Sequence, residues 1–501
     1  MSDSPISEFE SGFVCDGATS MHSVCGGEAS YKHEGKQYCV LHLPSKDKSA
    51  DFEKALQKKL NNRDFDFSGV WFPNEVSFVK FDFRERANFS NATFSADVSF
   101  NSAKFSAKAD FSHAKFSAKA DFNSAKFGER ADFGFAIFSA LADFTHATFG
   151  AVADFIYAAF NAADFTIVNF SAPVWFVGVT FGADSSFNNA TFSADSSFNT
   201  ATFSATSSFM SAKFNGKADF SAAKFSATAY FSFATFSAAT DFSCATFSAT
   251  SFRSAAFADH VRFAGNEKSP VFTDTSSLDL QFLRIEKPDH VSFHTISLRP
   301  HWFVNVDARK FDFTNVDWDW RSIHEEVESL GSVSPAHRML SIACWHLAEN
   351  AEGNRRYEEA SRFRYMAMDA RRLEEGQGLA VWKLSWWYWL ASGYGERMLR
   401  ALVMLLGILF LFAMLYHQVG FARWEPRVAS ESDAVAAQRD GVGAPLEFRR
   451  ALAYSAGVLM LQKPEPRPAT AVAQGLVILE TILGPVQAAL LALAIRRKFM
   501  R

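Results

Sequence analysis

From Phe67 to Phe263 a phenylalanine falls at every fifth or sixth position, 37 of them across 36 intervals that total 196 residues. The intervals mostly alternate five and six, so the unit is 11 residues, as in Ala109-Asp110-Phe111-Ser112-His113-Ala114-Lys115-Phe116-Ser117-Ala118-Lys119. Two residues before almost every ladder Phe stands a small residue, such as Ala109, Ala114, Ala120, Ser185 or Thr240. A polar residue lies between them, such as Asp110, Lys115 or Asp121. This triplet has the period of a strand, so the small residue and the Phe share one face. A helix would scatter steps of five and six around its circumference.

A chain that turns a corner after each triplet stacks its Phe in columns, and its coils hydrogen-bond to the coils above and below. The spacing predicts coils of 22 residues, with Phe111, Phe116, Phe122, Phe127 and Phe144 in the core. The steps from Phe160 to Phe165 and from Phe247 to Phe252 are five where six is due, which puts the extra residue in an outward corner. Nearly nine such coils stand roughly 40 Å tall. After Phe263 the ladder loosens. Phe272, Phe282, Phe293, Phe303 and Phe313 continue it, Leu298 fills one gap, and Trp302, Trp318 and Trp320 close it.

The Ala-Asp/Asn-Phe-x-x pattern resembles the pentapeptide-repeat family over about 200 residues. The resemblance implies a mainly β fold, a right-handed quadrilateral β-helix, here over residues 64–320. Some members of that family mimic DNA and inhibit topoisomerases, and Asp110, Asp121, Asp132, Asp143 and Asp154 recur every 11 residues. Lys104, Lys115 and Lys126 recur beside them, and residues 89–263 carry 13 acidic and 11 basic side chains. With the whole chain at −4, the field is too weak for a DNA mimic, and no nucleic-acid partner is expected.

Residues 1–63 form an N-terminal module. Cys15, Cys25, Cys39 and His42 are a sufficient tetrahedral set for one structural zinc ion, with His22 and His33 as alternative ligands. The other reading is scattered free cysteines. Five Cys in 501 residues, and an N-terminus without a basic and apolar leader, argue against a disulfide-stapled secreted fold. Residues 50–60 read as an amphipathic helix able to cap the first coil.

Residues 321–380 read as a helical connector. One helix starts at Ser334-Pro335, Gly353-Asn354 breaks it, and Asn354 can cap a second from Arg355 to about Glu375. Residues 381–501 read as a membrane module. Trp382, Trp386, Trp387, Tyr388 and Trp389 suit an interfacial helix. Twenty-two uncharged residues lie between Arg400 and Arg423, giving a span at about 400–422. A second span runs over about 469–495 with Glu480 its only charge. Between them, a segment at about 447–461 is too short to cross and reads as re-entrant, followed by a proline-rich return.

This order resembles the two-helix pore module of bacterial ion channels, and the chain resembles membrane-anchored pentapeptide-repeat proteins carrying such a module. A potassium filter would follow the half-helix. Gly457-Val-Leu-Met-Leu-Gln-Lys463 stands there instead, and the one Gly-Tyr-Gly, Gly393-Tyr394-Gly395, precedes the first span. Glu480 is the residue of interest in the module, with Tyr454 or Ser455 as its hydrogen-bond partner and Gly484-Pro485 bending the helix beyond it. Burial of Glu480 is expected at a subunit contact or lumen. Arg496, Arg497, Lys498 and Arg501 put the C-terminus, and with two spans the N-terminus, in the cytoplasm of a bacterial inner membrane.

No catalytic motif is legible, and no enzyme is expected. The expectation is a cytosolic solenoid that docks or senses a protein partner, coupled to a homo-oligomeric, tetrameric, channel-like module in the lipid bilayer. The alternative is a membrane-tethered scaffold without conduction.

Overall fold

A computed structural model describes residues 31–266, 270–331, 333–374, 383–421 and 446–499. The chain divides into two compact units between Trp320 and Arg321. Cys15, Cys25, His22 and Trp382 lie outside the described residues.

The first unit is a parallel β-solenoid of about 11 turns. Each turn has four faces, built mostly from two-residue strands. Asp110 lies beside Asp132, Phe116 beside Phe138, Asp121 beside Asp143 and Phe127 beside Phe149, a register of 22 residues. The ladder Phe form four inward columns. Ring centroids are 4.8 Å apart for Phe111 and Phe133, 4.5 Å for Phe116 and Phe138, 4.8 Å for Phe122 and Phe144, and 4.6 Å for Phe127 and Phe149. These distances match the spacing of paired strands, so one repeat satisfies backbone and rings together. Between columns the rings meet edge-on, as Phe111 does Phe122 at 5.4 Å and 89°.

Each five-residue corner places one residue in the left-handed region, two positions after its Phe: Ser102, His113, Ser124 and Phe135 have φ between 56° and 58°. The recurrent Asp stabilises that corner. Oδ1 of Asp121 accepts the Asn123 N–H at 2.9 Å, and Asp143 and Asp154 do the same for Thr145 and Ile156 at 3.0 Å. The recurrent acid thus has a structural use in the corner, although Trp175, Tyr230 and Arg262 fill the equivalent position in other coils. Its charge is also covered: Arg86 and Lys108 reach Asp110 at 3.2 and 3.1 Å, and Arg130 bridges Asp132 and Asp154. Where a six-residue step shortens to five, the register slips at that corner, between Phe138 and Leu141 and again between Phe225 and Thr228.

Phe282 corrects the expectation. It is 53% exposed with φ 60°, and Leu280 is buried in its stead. Asp279 pairs with Ser251, so Leu280 falls over Phe252 and Phe282 takes the left-handed corner two residues on.

Helix α1 (Ser49–Asn61) buries Phe52 and Leu56. Phe52 packs edge-on against Phe72 at 5.5 Å, and the Lys59 ammonium stands 5.9 Å over Phe67, so α1 covers the first coil. At the other end Phe303 and Trp318 pack on Phe313, and Trp302 packs on Phe272.

The second unit is helical. Helix α2 (Ile323–Ser329) opens on a capping box between Ser322 and Glu325, a signal the sequence reading passed over. Helices α3 (Ala336–Gly353) and α4 (Tyr357–Glu374) form a hairpin. Asn354 closes α3 instead of opening α4: its amide donates back to the Asn350 carbonyl at 3.0 Å. Then come α5 (Leu384–Ser392), α6 (Met398–Gln418), α7 (Phe448–Leu459) and α8 (Ala471–Phe499). Helices α6 and α8 are long and apolar enough to cross a membrane.

Candidate functional site

Helix α8 buries Ala473, Glu480, Gln487 and Ala494, seven residues apart, on one stripe. Its large apolar residues Ile478, Leu479, Ile482 and Val486 are exposed. Helix α6 does likewise, burying Ala401, Ala413 and Tyr416 while exposing Val403, Phe410, Leu411 and Met414. Only 17% of the most apolar stretch of each helix is buried. A water-soluble core helix has the opposite arrangement.

Glu480 is fully buried within a single chain. The Tyr416 hydroxyl donates to its Oε2 at 2.6 Å, and the Ser455 hydroxyl donates to its Oε1. The carboxylate thus joins α6, α7 and α8, and its burial does not require a second copy of the chain. Tyr454 lies in the same cluster by ring contact, 5.2 Å from Tyr416 and 4.9 Å from Phe421. Gly484 sits against Leu459, where a side chain would collide, and Gly457 of α7 faces Pro464 of the return. Helix α8 passes through Pro485 as one helix. One half-turn on, Gln487 donates to the carbonyls of Ala391 and Ala401, both at 2.8 Å, tying α8 to α5 and α6.

Gly393-Tyr394-Gly395 is the corner between α5 and α6, with φ of 55°, 60° and 73°. Tyr394 is buried there against Asp369 and Arg372, and burial raises its phenol above the ordinary range. The corner aims Glu396 inward. Its carboxylate accepts from Ser361 at 2.6 Å, from Arg364 at 3.1 Å and from Arg497 at 2.9 Å. Residues from α4 and the end of α8 thus meet on one acid. Sequence reasoning missed this node, because its members lie up to 136 positions apart (Ser361 to Arg497) and carry no common motif. The aromatic cluster is split: Trp387 is exposed, whereas Trp389 lies 4.7 Å under the Arg372 guanidinium and 5.0 Å from that of Arg400.

In the solenoid unit, Cys39 is buried with its Sγ 3.0 Å from His42 Nδ1. His42 Nε2 donates to the Ser68 carbonyl at 3.0 Å, which leaves Nδ1 as the acceptor nitrogen facing the sulfur. Sulfur and imidazole nitrogen thus stand side by side, with the ring oriented by its second hydrogen bond. A cluster the sequence did not suggest joins Asp259 to His260, His290 and Lys287 at 2.9, 3.3 and 3.2 Å. The Lys287 ammonium holds the Asp259 carboxyl well below the usual range.

Residues 100–148 match the family model for pentapeptide repeats (9 copies). No curated protein and no solved structure matches the chain.

Proposed function

We propose that this chain is a non-enzymatic, membrane-anchored pentapeptide-repeat protein. Its solenoid is a cytosolic rod for docking or sensing a protein partner, and α5–α8 form a homo-oligomeric, channel-like module in a bacterial inner membrane. The observation that carries the reading is the inside-out build of α6 and α8, with Glu480 and Gln487 inward and large apolar side chains outward. In hydrocarbon that arrangement satisfies the polar groups and solvates the rest. Basic residues at the end of α8 support a cytoplasmic C-terminus. On the rod, the outward stack of His113 on Phe135 at 4.8 Å, followed by Tyr157 at 5.3 Å, supports a docking face. A tetramer fits a two-span unit with a half-helix, because cyclic symmetry brings each α7 to the axis.

The test is alkaline extraction of membranes from expressing cells, cross-linking in detergent, and ion flux into liposomes. Retention in the membrane, a tetrameric ladder and flux support the reading. A carbonate-soluble protein overturns the anchoring.

A second reading has its own observation. Tyr416 and Ser455 close both oxygens of Glu480 inside one chain, which favours a tethered scaffold without conduction. Membrane retention without flux selects it.

The Cys39–His42 pair supports one structural zinc ion, with Cys15 and Cys25 completing the set.

A further inference from the structure

We infer that the helical unit holds one anionic phospholipid in a built site. A cavity of about 730 Å³ lies among α3, α4, α5, α6 and α8. One end is walled by Met404 and Ile408 of α6 and by Leu483, Val486 and Leu490 of α8. At the other are Arg371 and Arg372, the last turn of α4. Among the described residues that line the cavity, the two charged ones, Arg371 and Arg372, are guanidinium groups. Trp387 and Tyr388 of α5 sit among the lining residues. The volume is that of an ordinary small-ligand site, but a headgroup alone would leave the apolar wall unfilled.

The inference rests on the reading that α6 and α8 span a membrane. On that reading the apolar wall comes from the early part of α6 and the later part of α8, toward the end that carries Arg496 and Arg497. That is the cytoplasmic leaflet, where anionic lipids reside. An acyl chain fills the apolar end, and a phosphate meets guanidinium donors that match it in shape and charge. Asp369 lies 2.8 Å from Arg372 and fixes that side chain where it lines the cavity.

The experiment uses full-length protein in neutral detergent and native mass spectrometry with phosphatidylglycerol or phosphatidylcholine of the same acyl chains. The wild type should retain one phosphatidylglycerol per chain in preference to phosphatidylcholine. Arg371→Gln should cut that preference about fivefold, the effect of one basic residue at a lipid surface, and leave phosphatidylcholine retention unchanged. Val486→Trp, which fills the apolar end, should lower retention of both lipids. Equal retention of the two lipids by the wild type, or a Val486→Trp variant that binds phosphatidylglycerol as the wild type does, overturns the inference. Carbonate extraction of the same preparation separates the two readings. Protein that stays in the membrane yet shows no preference sinks the lipid site alone, and extracted protein sinks both.

Discussion

The Tyr416 hydroxyl donates to Oε2 of Glu480 at 2.6 Å, linking α6 to α8 across 64 residues of chain. Ser455 of α7 occupies the other oxygen, so three helices share one acid. Tyr416→Phe leaves a buried carboxylate oxygen without its donor and should cost about 1–2 kcal/mol. Tyr454→Phe should cost less, since Tyr454 joins the cluster through its ring. Glu480→Gln should keep the assembly with a small loss and change any flux, whereas Glu480→Lys sets a cation against two hydroxyl donors and should disrupt it. Thermal denaturation in detergent checks the order. Equal losses for the two Tyr variants would contradict the assignment.

Phe144→Ala should cost about 3–5 kcal/mol, because the ring is stacked at 4.8 Å on both Phe122 and Phe165 and leaves a large cavity. Phe135→Ala should cost under about 1 kcal/mol. That ring is 48% exposed on an outward corner, and its backbone φ of 58° is no better suited to Phe than to Ala. Chemical denaturation of both variants separates core from surface.

The solenoid was legible because each Phe reports its own burial through spacing alone, and 22-residue coils follow by counting. The Asp column was visible too, yet its role was not. An Asx turn depends on the backbone two residues later, which periodicity does not encode. Phe282 misled for the converse reason: a Phe in approximate register was read as inward, while strand pairing put Leu280 there. Glu480 stands out as a lone charge in an apolar run, with Tyr454 or Ser455 the expected partner, and Ser455 makes the bond. Tyr416 is not expected from the sequence, because it sits in α6, the other long apolar helix, and nothing in a single helix reveals which neighbour it faces. The Gly-Tyr-Gly before α6 has its physical use in a left-handed corner, a conformation that glycine permits at least cost.

The Asp column should respond to pH with two signs. Burial pushes the Asp110 carboxyl up, but the Ser112 hydroxyl and Lys108 outweigh it, so the group lies below its ordinary value. A depressed acid stabilises the fold above the unfolded value, and the contribution is lost as pH falls through the folded one. Asp110→Asn should therefore cost about 1 kcal/mol at neutral pH and progressively less below pH about 4. Burial leaves the Asp154 carboxyl above its ordinary value. A raised acid contributes stability at low pH and loses it as pH rises through the folded value. Asp154→Asn should thus be neutral or stabilising at pH about 7, with the advantage shrinking towards acid. Denaturation midpoints across this range check both slopes.

Purified full-length protein should carry about one zinc equivalent, lost in Cys39→Ser and in His42→Ala. His42→Ala also removes the donor to the Ser68 carbonyl, so it should loosen the first coil more than Cys39→Ser does. Elemental analysis of chelator-free preparations decides, and a folded wild type with no bound metal would falsify the zinc assignment.

Glu396 should prove the most sensitive acid between the connector helices and α8. Arg364 and Arg497 converge on its Oε1, and Ser361 donates to the other oxygen. Its own side chain is almost fully buried, and that of Arg364 nearly so, whereas Arg497 is partly solvated. Removing the acid leaves two guanidinium groups facing each other with only Glu352, on Arg364, as counter-charge, so Glu396→Ala should cost about 3 kcal/mol. Arg497→Gln should cost less, because water already reaches that side chain and Arg364 still neutralises the acid. Arg364→Gln should fall between the two, since it also forfeits the 2.8 Å contact with Glu352. A double-mutant cycle on Glu396 and Arg497 should show a coupling of about 1 kcal/mol or more, as groups in one network do not add. Additive losses would mean that the three charges act separately, and that α4 and α8 are joined by packing alone.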